Sequence, residues 1–127
     1  MIEEGRALFL QIAENIEDAI VDGSLAEEAQ VPSTNELAAF HRINPATAAK
    51  GVNMLVDKGV LYKRRGIGMF VAPGAREQVR NERRAVFADR YIEPLLAEAR
   101  ALELTPAELG TLIQQRYTAH TAEGTAR

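Results

Sequence analysis

The sequence predicts a mainly α-helical protein with a single small β-hairpin: three helices and the hairpin first, then a short helical region. Three observations predict it. Apolar residues recur at helical spacing along Leu8, Ile12, Ile16, Ala19 and Ile20, and again along Phe87, Tyr91, Leu95, Ala99 and Leu102. Helix-start signals stand at Ser33, Asn44 and Thr105. Two short apolar segments flank the loop Arg64-Arg65-Gly66-Ile67-Gly68.

The first helix runs from about Gly5 to Val21, with Glu14, Glu17, Asp18 and Asp22 off its apolar face; Asp22-Gly23 supplies the stop. "SLAEEAQV" reads as a loop carrying Leu25 and Val31 inward. Pro32-Ser33 opens the second helix. Ser33 caps it and Glu36 lies three residues on, so "STNE" reads as a capping box, with Leu37, Ala38 and Phe40 as core residues. "HRI" is the turn. Asn44 caps the third helix, and Pro45 fits its first position because the N–H that proline lacks would be unpaired there. That helix ends near Lys58-Gly59. Val60–Lys63 and Met69–Ala72 then form the hairpin. Helix, helix, helix, hairpin is the order of a winged helix-turn-helix.

Pro73-Gly74 marks a boundary. A long helix follows from about Ala75, which Pro94 should kink or interrupt. "TPAE" at Thr105–Glu108 is a second capping box, followed by Leu109, Leu112, Ile113 and Tyr117. The domains expected are 1–73, a winged helix-turn-helix, and 74–120, a helical dimerisation domain, with 121–127 a flexible tail.

The 127 residues include no cysteine, which excludes disulfides, thiolate metal sites and Cys nucleophiles. No apolar run approaches the ~20 residues of a membrane span. Glu3 and Glu4 stand where a signal peptide carries positive charge, so a cytoplasmic location is expected. The net charge of −3 is segregated. Residues 1–40 hold Arg6 against nine acids, residues 41–73 hold six bases against Asp57, and residues 74–127 balance eight against eight. Such a distribution orients a protein on a polyanion whatever its global charge.

On the third helix, Ala48, Val52, Leu55 and Val56 share the core side. Opposite them stands Lys50, flanked by Ala46, Thr47, Asn53 and Met54. In a helix-turn-helix this helix enters the major groove N-terminus first, so Ala46, Thr47 and Lys50 are the residues that face bases. Ala46 and the Thr47 methyl suit thymine methyls, and Lys50 suits guanine or phosphate. Gly51, costly inside a helix by about 1 kcal/mol, lies beside Thr47 on the same flank, where it either permits close approach of another backbone or has drifted neutrally on a surface. Gly66 and Gly68 let the hairpin turn tightly, and Lys63, Arg64 and Arg65 set charge beside phosphate or minor groove.

The segment "QVPSTNELAAFHRINPATAAKGVNMLVDKGVLYKRRGIGMFV" resembles the winged helix-turn-helix of GntR-type bacterial transcription regulators. "LQIAENIEDAIVDGSL" is similar to that family's opening helix, "PSTNELA" to its second, "INPATAAK" to the start of its recognition helix and "RRGIGMFV" to its wing. Residues about 8–72 carry the likeness. The resemblance implies double-stranded DNA as partner and adds Ser33, Thr34, Asn35 and Asn44 to Ala46, Thr47, Lys50, Lys63, Arg64, Arg65 and Gly66 as DNA-contacting positions. Most members carry a large effector domain, whereas 54 residues follow Pro73 here. That looks like the YtrA-like branch, whose short helical tail dimerises, and whose relatives usually repress, often beside transporter genes. Asn35 and Ala49 stand where the wider family has arginine, so the operator cannot be copied from other members.

One apolar stripe on a helix of about 25 residues, with a shorter amphipathic helix behind it, needs a partner surface. A homodimer is expected, with Phe87, Tyr91, Leu95, Leu102, Leu109, Leu112, Ile113 and Tyr117 as interface and local core. It would read a roughly palindromic operator. A small-molecule effector is unknown; a cleft in the dimer could hold one, with Phe87 and Tyr91 either lining it or, as their apolar stripe favours, packing in the core. No enzyme is visible. His41 and His120 lack metal-ligand spacing, Ser24 and Ser33 have no base, and Gly66-x-Gly68 lacks the helix a dinucleotide motif needs, so neither metal nor cofactor is expected. The alternative is a winged-helix protein-interaction module without specific DNA binding, which the acidic first forty residues keep open.

Overall fold

A computed structural model describes residues 7–125. They form two compact units, one ending at Arg83 and the other beginning at Arg84.

The first unit contains α1 (Leu8–Asp22), α2 (Thr34–His41), α3 (Pro45–Asp57), β1 (Leu61–Arg64), β2 (Gly68–Val71) and most of α4 (Ala75–Phe87). The start expected at Gly5 lies outside the described residues. Gly23, in the left-handed conformation, ends α1 as expected. Both halves of the capping box at α2 are made: the Glu36 amide donates to Ser33 Oγ at 3.1 Å, and the Ser33 amide donates to Glu36 Oε1 at 2.8 Å. Those bonds, backbone first, hold the Glu36 carboxyl below its ordinary value of 4.5. Asn44 caps α3 by accepting from the Ala46 amide at 2.7 Å, and Pro45 opens the helix.

The core joins Ile12, Ala13, Ile16 and Ile20 of α1 to Ala48, Val52 and Leu55 of α3, closed by Leu37, Val60, Leu61 and Val71. Val56 and Met54 pack against it half-buried, so Met54, placed on the outward flank by its helical angle, turns inward. The expectation for Phe40 is corrected. It is 82% exposed. Leu37 and Ala38 occupy the buried face of this two-turn helix, leaving Phe40 to sit edge-on to His41 at 5.0 Å.

α1 and α3 cross at Gly51. A Cβ there would stand 2.6 Å from the carbonyl oxygen of Phe9 and 3.1 Å from Ile12, so close backbone approach is what this glycine provides. β1 and β2 pair antiparallel with Leu61 opposite Val71 and Arg64 opposite Gly68. The preceding loop also joins the sheet. Gln30 bridges Phe70, and amide bonds run from Glu28 to Val71 and from Val31 to Met69, each 2.8 Å. The single-bridge third strand was not read from the sequence.

The first turns of α4 belong with this unit, beyond the boundary expected at Pro73-Gly74. Ala75 and Val79 are buried, Arg76 Nε donates to the Val21 carbonyl, and Arg83 pairs with Asp18 at 2.6 Å. Lys58 bridges Glu17 at 2.8 Å and Glu82 at 3.0 Å. Burial lowers the Lys58 pKa, but these two carboxylates outweigh it and hold the group above its ordinary value.

The second unit holds a π-helical turn (Ala88–Ile92), α5 (Glu93–Ala101) and α6 (Pro106–Thr125). The interruption expected at Pro94 takes the form of that wider turn. The Glu93 amide reaches back to the Ala88 carbonyl. The next residue, Pro94, has no N–H to donate, and widening relieves the clash its ring would make in a regular helix. Thr105 and Glu108 form the second capping box, with bonds of 2.9 and 3.1 Å. α6 continues past His120, where the helix was expected to give way; the last two residues of the expected flexible tail, 126–127, lie outside the described residues. No described helix is long and apolar enough to cross a membrane.

Candidate nucleic-acid interface

The N-cap and the first two turns of α3 decide what that helix presents. Asn44 and Ala46 are exposed, Thr47 is half-buried and Lys50 exposed. The Asn44 side-chain oxygen is committed to the cap, which leaves its amide N–H groups to donate outward. Lys50 Nζ lies 4.1 Å from the centroid of the Phe9 ring, a cation–π contact on the exposed side of α3. Phe9 was not singled out in the sequence, because nothing local announces that α1 brings it under Lys50.

Ser33 and Thr34, at the N-terminus of α2, come together with Lys63 of β1. They line a groove of about 560 Å³ with Gln30, Ile67 and Gly68. Asn35 is exposed but outside that lining. Ser33 Oγ accepts the Glu36 amide, and its hydroxyl also bonds the Glu36 carboxylate.

The Gln30 side chain braces the wing. Gln30 Nε2 donates to the Ile67 carbonyl at 3.1 Å, and a Cβ on Gly68 would meet that same nitrogen at 2.6 Å. Gly68 also has φ 147°, and Gly66, exposed at the tip, has φ 77°. Both conformations favour glycine. Arg64 stacks over Phe70 at 4.8 Å and lies 5.9 Å from the Tyr62 ring, on the face opposite Lys63. Tyr62 donates to Glu28 at 2.6 Å, and that hydrogen bond raises the pKa of its hydroxyl. Arg65 is exposed beside Gly66.

In the second unit the expected dimer residues are open to solvent. Phe87, Tyr91, Leu95, Leu102, Leu112, Ile113 and Tyr117 are exposed, and Leu109 is half-buried. Phe87 and Tyr91 adjoin each other at 5.7 Å. Leu95, Leu102, Leu109, Leu112, Ile113 and Tyr117 share a groove of about 640 Å³ between α5 and α6. Phe87 and Tyr91 do not line it. Among the described residues no cluster of three His, Asp or Glu side chains is placed to hold a metal.

Residues 8–71 match the bacterial regulatory proteins of the gntR family. The HTH-type transcriptional regulator YhcF of Bacillus subtilis (strain 168) is 26% identical over 107 residues, which are 84% of this chain and 87% of that protein. A crystal structure of a GntR-family transcriptional regulator from Bacteroides thetaiotaomicron superposes with a TM-score of 0.70 at 29% identity, over 90% of this chain and 99% of that one. The DNA-binding domain of AraR, crystallised with operator ORR3, gives 0.52 at 30% identity over 57% of this chain and 87% of its own.

Proposed function

We propose, from the premise that this chain belongs to the gntR family of bacterial regulatory proteins, that it is a homodimeric repressor of the YtrA-like branch which binds a palindromic operator. The observation that carries the DNA reading is the meeting of Ser33 and Thr34 with Lys63 in one groove, with the capped start of α3 free to enter a major groove. An operator-bound relative supports it. Ala46, Thr47 and Lys50 read bases; Ser33, Thr34, Asn35 and Asn44 position the phosphates; Lys63, Arg64, Arg65 and Gly66 work from the wing. Phe87, Tyr91 and the α5–α6 residues from Leu95 to Tyr117 join two copies. Repression follows from occupancy: a bound dimer blocks a promoter without needing a surface for other proteins. Control of a transporter operon is the regulatory role the branch suggests. Family membership speaks against both an enzyme and an interaction module that has lost DNA binding.

The test is a triple substitution, Lys50→Ala, Arg64→Ala and Arg65→Ala, assayed by gel shift on duplex DNA. Loss of binding with fold and association intact supports the reading. Binding that survives the triple change contradicts this assignment of the surface.

A further inference from the structure

Arg42 occupies the turn between α2 and α3 with φ 57° and ψ 49°, the left-handed conformation that costs an L-residue energy and that glycine or asparagine adopts more cheaply. The backbone imposes this conformation. The Arg42 amide donates to the carbonyls of Ala38 and Ala39, and the Ile43 amide donates to Ala38 at 3.0 Å, closing α2. Ile43 then packs against the core. Any residue here must take the same turn, so an arginine is an expensive occupant unless its side chain has work to do. Of the other two non-glycine residues with positive φ among the described residues, Glu28 (69°) holds the Tyr62 hydroxyl with its carboxylate, whereas Glu103 (57°) is exposed. Arg42 is exposed, and among the described residues no hydrogen bond or ion pair is made by its guanidinium.

We infer that Arg42 is a phosphate-binding residue of the DNA interface, held in a left-handed turn at the expense of fold stability. The inference rests on the DNA reading above and adds a residue to it. Arg42 lies two positions before the Asn44 cap, and a helix that enters the major groove N-terminus first brings its preceding turn to the groove's rim, where phosphates stand. A guanidinium on a long side chain binds phosphate with paired N–H groups.

The experiment compares Arg42→Gly, Arg42→Asn and Arg42→Lys in the full chain, using a mixed-sequence duplex so that base reading plays no part. Arg42→Gly and Arg42→Asn should bind several-fold more weakly, with the log–log salt slope shallower by about 0.9, one phosphate contact fewer. At least one of them should unfold at the same temperature as the parent or higher. Arg42→Lys should keep the slope. Unchanged affinity and slope in the glycine and asparagine variants would overturn the role of Arg42 while leaving Lys50 and the wing untouched. Lower stability in both variants would assign Arg42 to the fold and overturn it too. A parent chain that binds no duplex would overturn this inference together with the DNA reading.

Discussion

The winged unit and the tail unit differ in how they treat apolar side chains. In the first, α1, α3 and the hairpin bury Ile12, Ile20, Leu55, Leu61 and Val71 almost completely against one another. In the second, Ala99 is the one buried side chain among the described residues, while Phe87, Tyr91, Leu95, Leu112, Ile113 and Tyr117 stay exposed. Burial contributes roughly 25 cal/mol for each Å² of apolar surface removed from water, so the first unit carries its own stabilisation and the second has apolar surface still to cover. A second copy covers it in the proposed dimer. The contrast separates two kinds of residue: those that decide whether a chain folds, and those left for the proposed dimer to cover.

The largest effect is expected from the tail. Leu95→Glu combined with Ile113→Glu places charge on the α5–α6 groove and should leave a monomer by sedimentation velocity, its winged unit still folded. Operator affinity should then fall by about a hundredfold or more, since linkage of two half-site readers is lost. A doubly substituted chain that stays dimeric would move the interface elsewhere.

A smaller effect, of the opposite kind, is expected at Gly51. Alanine there forces a methyl group against the Phe9 carbonyl oxygen, 2.6 Å from the Cβ position. Overpacking of this sort costs about 1–3 kcal/mol, to be read from urea unfolding, with the association state unchanged. Stability equal to the parent would show that α1 and α3 can separate freely.

The smallest effect is at the start of α2. The Glu36 carboxyl lies below its ordinary 4.5 because the Ser33 amide and hydroxyl bond to its charged form. A depressed folded-state pKa stabilises above the unfolded value and stops doing so as pH falls through the folded one. The parent should therefore lose stability relative to Glu36→Gln on acidification below about pH 4.5, and the two should run parallel above neutrality. Parallel curves throughout would mean that the capping box contributes nothing.

What could be read from the sequence was mostly local. The caps at Ser33 and Asn44 act within three residues, so both helix starts were legible, and the glycines of the wing announced a turn. The strand at Gln30 was not, because a single bridge to Phe70 leaves no alternating pattern. Phe40 misled because apolarity in so short a helix does not say which face is covered. Pro94 marked an interruption without specifying a π-turn, and α4 passed the expected boundary because Ala75 and Val79 find partners distant in sequence. For the proposed interface, Lys50, Lys63 and the cap residues were visible as residue types. Phe9 beneath Lys50 and the left-handed Arg42 were hidden, the first by long-range packing and the second by a backbone angle that arginine does not advertise.

The most direct single measurement is selection of bound fragments from host DNA, with competitor DNA present, followed by sequencing. Two copies of α3 related by a dimer axis require two half-sites, so the recovered fragments should share a two-fold symmetric site, found upstream of the genes it controls. Recovery of fragments with no common sequence would contradict a dimeric, sequence-specific regulator.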